Sequence, residues 1–375
     1  MNQPFPEKNG EKPRILVVPL DWGLGHATRC IPVIRELLEQ GADVWLAGES
    51  AQEELLKTEF PQLPFLSLPG YRVRYARTKR GLPWKMLRQG PQLRKAIQYE
   101  HEWLRKMYVE HAFDAVISDN RYGLYHSAIP SVFITHQLAI QSPLGKWTEK
   151  LLQKRNYSYI NKFTECWVPD TQGEDNLAGA LSHPVKKPAI PVRYAGLLSR
   201  FEKQEIKEKK DHLLIILSGP EPQRTILEEK IIRDIAAYNG HATILRGLPG
   251  THSLIPSTNM IRIYNHLPAK ELNTLMQEAE YIISRSGYST VMDIVSLQKK
   301  SILIPTPGQT EQEYLGRLLM EKKTALCIEQ ENFSLAMTLG VAKNFLYDLP
   351  LTTGNTTLKK LIQDLLDQSL KPALG

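Results

Sequence analysis

The sequence predicts an α/β protein built from two Rossmann-like domains. Three observations carry that expectation: two series of short apolar runs, helical patterns between the runs, and a lysine-rich segment separating the two series. Strand-length apolar runs alternating with amphipathic stretches are the mark of βαβ units, whose crossovers keep the strands parallel.

The first series opens with RILVVPL (14–20), an amphipathic stretch from Ile31 to Gln40, ADVWLAG (42–48) and a short helical pattern from Glu53 to Lys57. FDAVISD (113–119), SVFIT (131–135) and CWVPD (166–170) extend the same sheet. FEKQEIKEKKD (201–211) then breaks the pattern near a linker. The second series is HLLIIL (212–217), HATILR (241–246), MIRIYN (260–265), YIIS (281–284), SILIP (301–305) and TALCI (324–328). The expected domains are 1–195 and 196–375. The last helical pattern, Thr357 to Leu370, has a packing role, within its own domain or across both. Open α/β sheets bind ligands outside the carboxyl ends of their strands, so the chemistry should lie in post-strand loops along a cleft between the two domains.

Composition narrows the function classes. With 375 residues, 42% of them hydrophobic and 23% charged, the chain has material for two folded cores. The three cysteines, Cys30, Cys166 and Cys327, lack any CxxC or Cys/His spacing, so neither a disulfide framework nor a zinc site is indicated and a reducing, cytoplasmic setting fits. The polar amino terminus does not read as a secretory signal, and no window reaches the roughly 18 to 20 uninterrupted apolar residues of a transmembrane helix. The net charge is +7, and residues 71–106 alone hold eleven basic and two acidic side chains, so the basic character is a patch.

The first post-strand loop reads Asp21-Trp22-Gly23-Leu24-Gly25-His26-Ala27-Thr28-Arg29. Its glycines, Gly25 among them, let backbone amides approach a ligand, and a helix amino terminus favours negative charge. His26 is the side chain suited to taking a proton near neutral pH. It could equally cap a tight turn. Asp119 ends the fourth strand, where it could reach His26 and fix its tautomer, or could cap the turn before Gly123. His136, after the next strand, is a rival partner, an acceptor-binding group or a structural histidine.

In the second half, Ser218 and Gly219 follow one strand, and Ser284-Arg285-Ser286-Gly287-Tyr288-Ser289-Thr290-Val291-Met292-Asp293 follows another. Hydroxyls and amides at such a helix start can hold phosphate oxygens, and a carboxylate a turn later can accept from ribose hydroxyls. The alternative is an ordinary capped helix with Asp293 solvated. Pro305 to Tyr314 places Gln312 and Glu313 at a further helix start, where they suit sugar hydroxyls or merely stabilise the helix.

GLGHATR (24–29 with Gly23) and SRSGYSTVMD…PTPGQTEQEY together resemble the GT-B glycosyltransferases, in particular the relatives of the peptidoglycan N-acetylglucosaminyltransferase that makes lipid II. The likeness runs over nearly the whole chain in layout and is most specific over 281–322. It implies a donor diphosphate on Ser286, Gly287, Ser289 and Thr290, a ribose on Asp293 and a donor sugar on Gln312 and Glu313. Arg200 matches an arginine that contacts the nucleotide, and Tyr264-Asn265-His266-Leu267 matches the loop beside the base. Asp293, Glu313 and Gly316 stand where the family has glutamate, glutamine and asparagine, which bears on the sugar rather than the nucleotide.

The resemblance implies an inverting, metal-independent transfer of a sugar, for instance N-acetylglucosamine, from a UDP-sugar to an acceptor hydroxyl. His26 would be the base and Asp119 its orienting partner. No cofactor beyond the UDP-sugar substrate is implied. GxGHxxR also resembles the nucleotide-sugar hydrolase of pseudaminic acid synthesis, and a non-catalytic nucleotide-sugar-binding protein is the third reading. Within 71–106, Arg77, Lys79, Arg80 and Lys85 interleaved with Tyr75, Leu82 and Trp84 suit an anionic membrane surface, hence a lipid-linked acceptor at the inner face of the membrane. No nucleic-acid-binding motif accompanies the patch.

Overall fold

The computed structural model describes residues 12–71, 82–141, 145–248, 251, 255–351 and 356–370, with Ser50 and residues 82–89 described by their backbone alone. The chain divides into two compact units, Met1–Arg200 with Thr353–Gly375, and Phe201–Thr352.

In the first unit the order is β1 (Arg14–Pro19), α1 (Leu24–Glu39), β2 (Asp43–Gly48), α2 (Ser50–Glu59), β3 (Phe65–Ser67), α3 (Leu82–His111), β4 (Ala115–Asp119), β5 (Ser131–Ile134), α4 (Lys146–Ile160), β6 (Glu165–Val168) and β7 (Val192–Tyr194). Among the described residues these strands form one seven-stranded sheet, β3-β2-β1-β4-β5-β6-β7, with every neighbouring pair parallel. Ile15 to Val18 are fully buried, as a strand covered on both faces requires. The chain runs outward from β1 to β3 and then returns to lay β4 on the other side of β1. That reversal opens a crevice at the carboxyl ends of β1 and β4.

The second unit repeats the plan with β8 (His212–Ile216), α5 (Gln223–Ile235), β9 (His241–Leu245), β10 (Ile261–Tyr264), α6 (Ala269–Glu278), β11 (Tyr281–Ser284), α7 (Tyr288–Ser296), β12 (Ser301–Leu303), α8 (Thr310–Glu321), β13 (Leu326–Cys327) and α9 (Leu335–Asn344). Its parallel sheet has the order β10-β9-β8-β11-β12-β13 among the described residues, with the reversal between β8 and β11. Leu213, Ile215, Ile244, Ile283 and Ile302 fill the core with Leu227 and Ile231 of α5.

The expected strands are present, and two are added. β3 (FLS) and β7 (VRY) are the two edge strands and only partly buried, so no continuous apolar run marks them. The last helix, α10 (Thr356–Ser369), corrects the expected division at 195/196. It belongs to the first unit, as do residues 196–200. Its apolar stripe, Leu358, Leu361, Ile362, Leu365 and Leu366, is buried, and it packs on α1. Gln40 Nε2 donates to the Lys359 carbonyl at 2.9 Å, and Arg193 pairs with Asp364.

Candidate active site

The first-unit site follows from register. Pro19 of β1 pairs with Asp119 of β4, so the chain after Pro19 and the side chain of Asp119 start at the same level of the sheet. Gly23 is the N-cap of α1 with φ at +78°, a left-handed conformation that suits a glycine and turns the chain sharply into the helix. Gly25 and His26 therefore lie in the first turn, and Arg29 follows one turn later on the same face.

His26 Nδ1 lies 3.0 Å from Asp119 Oδ1. The aspartate is fully buried, while the His26 side chain keeps 15% of its surface exposed. Arg29 binds both carboxylate oxygens, Nε to Oδ2 at 2.5 Å and Nη2 to Oδ1. The same Nη2 stands 2.8 Å from His26 Nδ1, and Nη1 stands 3.2 Å from His136 Nδ1. His136 thus joins the cluster through Arg29. Cys30 Sγ adds a long contact of 3.7 Å to Oδ2.

Burial pushes the Asp119 carboxyl up, but Arg29 and His26 more than offset it and hold the group down at about 2. Burial, followed by the Arg29 charge, moves His26 below the ordinary histidine range against the pull of Asp119. Burial and the neighbouring Asp119 raise the Cys30 thiol, which stays protonated. At neutral pH the cluster is an uncharged imidazole beside a closed guanidinium–carboxylate pair.

The turn after Asp119 is held by other groups. Arg121, fully buried, donates through Nε to Glu100 Oε1 at 2.7 Å and through Nη2 to the Pro69 carbonyl at 2.5 Å. The Gly123 N–H goes to Glu100 Oε2 at 2.9 Å, so Glu100 of α3 satisfies the amide that a turn-capping Asp119 would have taken. Asp119 is left to His26 and Arg29.

The second-unit residues lie at the carboxyl ends of strands of the one parallel sheet. Ser218 and Gly219 follow β8, His266 follows β10, Ser286 to Thr290 follow β11, and Gln312 and Glu313 follow β12. Gly287 is the N-cap of α7, with Ser289 and Thr290 partly exposed in its first turn and Asp293 buried one turn on. Ser286 is fully buried and its hydroxyl donates to the Gln312 carbonyl at 2.8 Å, tying the start of α7 to that of α8. Gln312 Oε1 accepts from the Thr306 amide at 2.9 Å and its Nε2 donates to Gln309 Oε1 at 2.5 Å. Glu313 Oε1 accepts from the Gly308 amide at 2.8 Å. These three side chains shape their own loops. Arg200 and Gly25 belong to the first unit and the other expected donor residues to the second. Among the described residues no group of three His, Cys, Asp or Glu is placed to hold a metal ion.

Residues 258–343 match the glycosyltransferase family 28 C-terminal domain, a span that runs from β10 to α9 and includes Ser286 to Glu313. The UDP-N-acetylglucosamine--N-acetylmuramyl-(pentapeptide) pyrophosphoryl-undecaprenol N-acetylglucosamine transferase of Buchnera aphidicola subsp. Schizaphis graminum is 22% identical over 94% of this chain and 98% of its own. Among solved structures, the kitacinnamycin glycotransferase is similar with a TM-score of 0.64 at 12% identity, covering 96% of this chain and 95% of that one. Acinetobacter baumannii MurG is similar with a TM-score of 0.50 at 14% identity, covering 95% and 99%. The chain is a GT-B glycosyltransferase.

In this glycosyltransferase two buried arginines that organise the strand-end loops escaped the sequence reading. Arg29 was legible only as the end of GxGHxxR. Arg285, inside the SRSG turn, is 1% exposed and reaches the Gln223 carbonyl at 2.7 Å, Gln330 Oε1 at 2.6 Å, and the Ile304 and Pro305 carbonyls at 3.2 and 3.3 Å. It ties together the loops that follow β8, β11, β12 and β13. Burial without a carboxylate among these partners lowers it to about 10, still charged at neutral pH.

Proposed function

We propose that this glycosyltransferase moves a sugar from a UDP-sugar to an acceptor hydroxyl with inversion and without a metal. The observation that carries the reading is His26, uncharged and partly exposed, hydrogen-bonded through Nδ1 to a buried aspartate at the strand reversal of the first sheet. With Nδ1 tied to Asp119, Nε2 is the nitrogen left to take the acceptor proton. As the acceptor oxygen bonds to the anomeric carbon, the bond to the diphosphate breaks. The amino terminus of α7, with Ser289 and Thr290, offers positive dipole and donors to the charge that builds on the leaving group.

The activity for which the Buchnera relative is named supports N-acetylglucosamine as the sugar and a lipid-linked acceptor. A surface on α4 supports contact with a bilayer on the inner face of the membrane. Trp147 and Leu151, 76% and 55% exposed, lie one turn apart and are flanked by exposed Lys146, Lys150, Lys154 and Arg155. An exposed tryptophan within a basic helix face suits an anionic headgroup layer. The basic segment expected in that role falls largely outside the described residues: 72–81 are not described, and 82–89 only by backbone, at the start of α3. No helix among the described residues is long and apolar enough to cross a membrane.

The test combines binding and turnover. Calorimetry should detect a UDP-sugar on the wild type, and His26→Ala should keep that affinity while losing transfer to a lipid-linked acceptor. Absence of nucleotide binding rejects the donor assignment. Rapid UDP release from donor alone would identify a hydrolase instead.

A further inference from the structure

Arg29 lies where the charges of the first-unit cluster meet. Its side chain is 2% exposed, and its fork touches Asp119, His26 and His136. A guanidinium has five N–H donors and no acceptor, so a ring nitrogen that bonds to it must accept. His136 Nδ1, 3.2 Å from Arg29 Nη1, therefore carries no proton, and the neutral ring keeps its proton on Nε2.

His26 Nδ1 faces two opposed partners, Arg29 Nη2 at 2.8 Å, which can only donate, and Asp119 Oδ1 at 3.0 Å, which can only accept, so Arg29 by itself would leave Nδ1 bare and it is the carboxylate that draws a proton there. Arg29 Nη2 also bonds Oδ1, and Nε bonds Oδ2, which closes a bidentate pair. A ring lone pair aimed at a buried carboxylate oxygen is repulsive. A proton on Nδ1 turns that contact into a charge-assisted hydrogen bond and leaves Nε2 as an acceptor.

We propose that Arg29 is a positioning residue that, together with Asp119, sorts the two histidines into opposite tautomers: Arg29 keeps the His136 proton on Nε2, while Asp119, held at both oxygens by Arg29, keeps the His26 proton on Nδ1 and leaves Nε2 to accept. The proposal deepens the reading of His26 as base and rests on it for its catalytic meaning. The groups facing His26 are Arg29 on its own helix, Asp119 from β4 and His136 from the segment after β5, with the thiol of Cys30 behind the carboxylate. Asp119 draws a proton onto the ring and Arg29 opposes it. Because Arg29 engages both carboxylate oxygens, the aspartate orients His26 while sharing its charge.

The test uses the full chain labelled with ¹⁵N in histidine, followed by long-range ¹H–¹⁵N correlation spectra and assigned with His26→Gln and His136→Gln. In the wild type His26 should report the Nδ1–H form and His136 the Nε2–H form. In Arg29→Met the His26 titration should move up in pH, and His136 should become a mixture of tautomers. A wild-type His26 carrying its proton on Nε2 overturns the proposal, as does an unmoved His26 titration in a folded Arg29→Met. If circular dichroism shows that variant unfolded, Arg29→Lys decides. It keeps the charge and loses the fork, so the His136 tautomer should mix, and an unchanged His136 overturns the sorting. Should the tautomers stand while His26→Ala still transfers at the wild-type rate, the base reading fails and the proposal's catalytic claim falls with it.

Discussion

His26 and Asp119 are 3.0 Å apart through Nδ1 and Oδ1, although 93 positions separate them along the chain. The sheet closes that gap. β1 and β4 are neighbours, and the pairing of Pro19 with Asp119 brings the start of α1 to the end of β4. Two consequences of that contact can be measured, beside one at the donor end and one on α4.

Asp119→Asn keeps the shape of the side chain and removes its charge. The amide cannot both pair with Arg29 and hold His26 in the Nδ1–H form, so transfer should fall on the order of 10³-fold or more, by analogy with the loss of the orienting aspartate in a serine-protease triad. Removing one partner of a buried ion pair should also destabilise the first unit by about 3–5 kcal/mol. Steady-state kinetics and urea melts read the two effects separately, and unchanged transfer would remove Asp119 from the mechanism.

The pH dependence has a definite sign. His26 sits below its ordinary value of 6.5, so the folded ring resists a proton that the unfolded ring accepts. Its contribution to stability is complete above that value and is lost as pH falls below it toward the folded pKa. Asp119, lowered from 3.8 to about 2, contributes above 3.8 and loses that contribution as pH falls toward 2. Transfer should accordingly persist below pH 6.5 before the acid limb sets in. Thermal melts between pH 2 and 8 check the two stability contributions, initial rates between pH 4 and 8 check the transfer, and an acid limb centred above 6.5 would contradict the His26 assignment.

Asp293→Ala tests the donor end. If the buried carboxylate accepts from ribose hydroxyls, its loss should weaken UDP-sugar binding by about 1.5–3 kcal/mol, roughly ten- to a hundred-fold. Equal affinity in wild type and variant would return Asp293 to a structural role in α7.

The α4 surface predicts a salt-sensitive association with anionic vesicles. Lys150→Glu with Lys154→Glu should weaken it by about 1 kcal/mol or more for each position, and Trp147→Ser with Leu151→Ser should weaken binding that persists at higher salt. Co-sedimentation reads both. A wild-type protein left in the supernatant at low salt would sink the membrane contact.

Much of the fold was written in local pattern. Ile15 to Val18 or Leu213 to Ile215 read as buried parallel strands because a strand covered on both faces needs continuous apolar sequence. The loops that follow them were legible for the same reason, and so were His26, Asp119 and the serine-rich start of α7. α10 was visible as an amphipathic helix, but its partner was not, since an apolar stripe does not name the surface that covers it.

The contacts that the loop residues make were legible only in the tertiary structure. Ser286 and Gln312 read as ligand-facing residues at helix starts, yet each spends hydrogen-bonding capacity across or within its own loops. Arg29 read only as the last residue of GxGHxxR. Its bonds to Asp119 span 90 positions and its bond to His136 spans 107, distances over which periodicity carries no information about which donor meets which acceptor. By itself the sequence determined where strands end and which residue types gather there. The packing of parallel strands decided which of those side chains touch, because a buried charge is stable only where the fold brings it a partner.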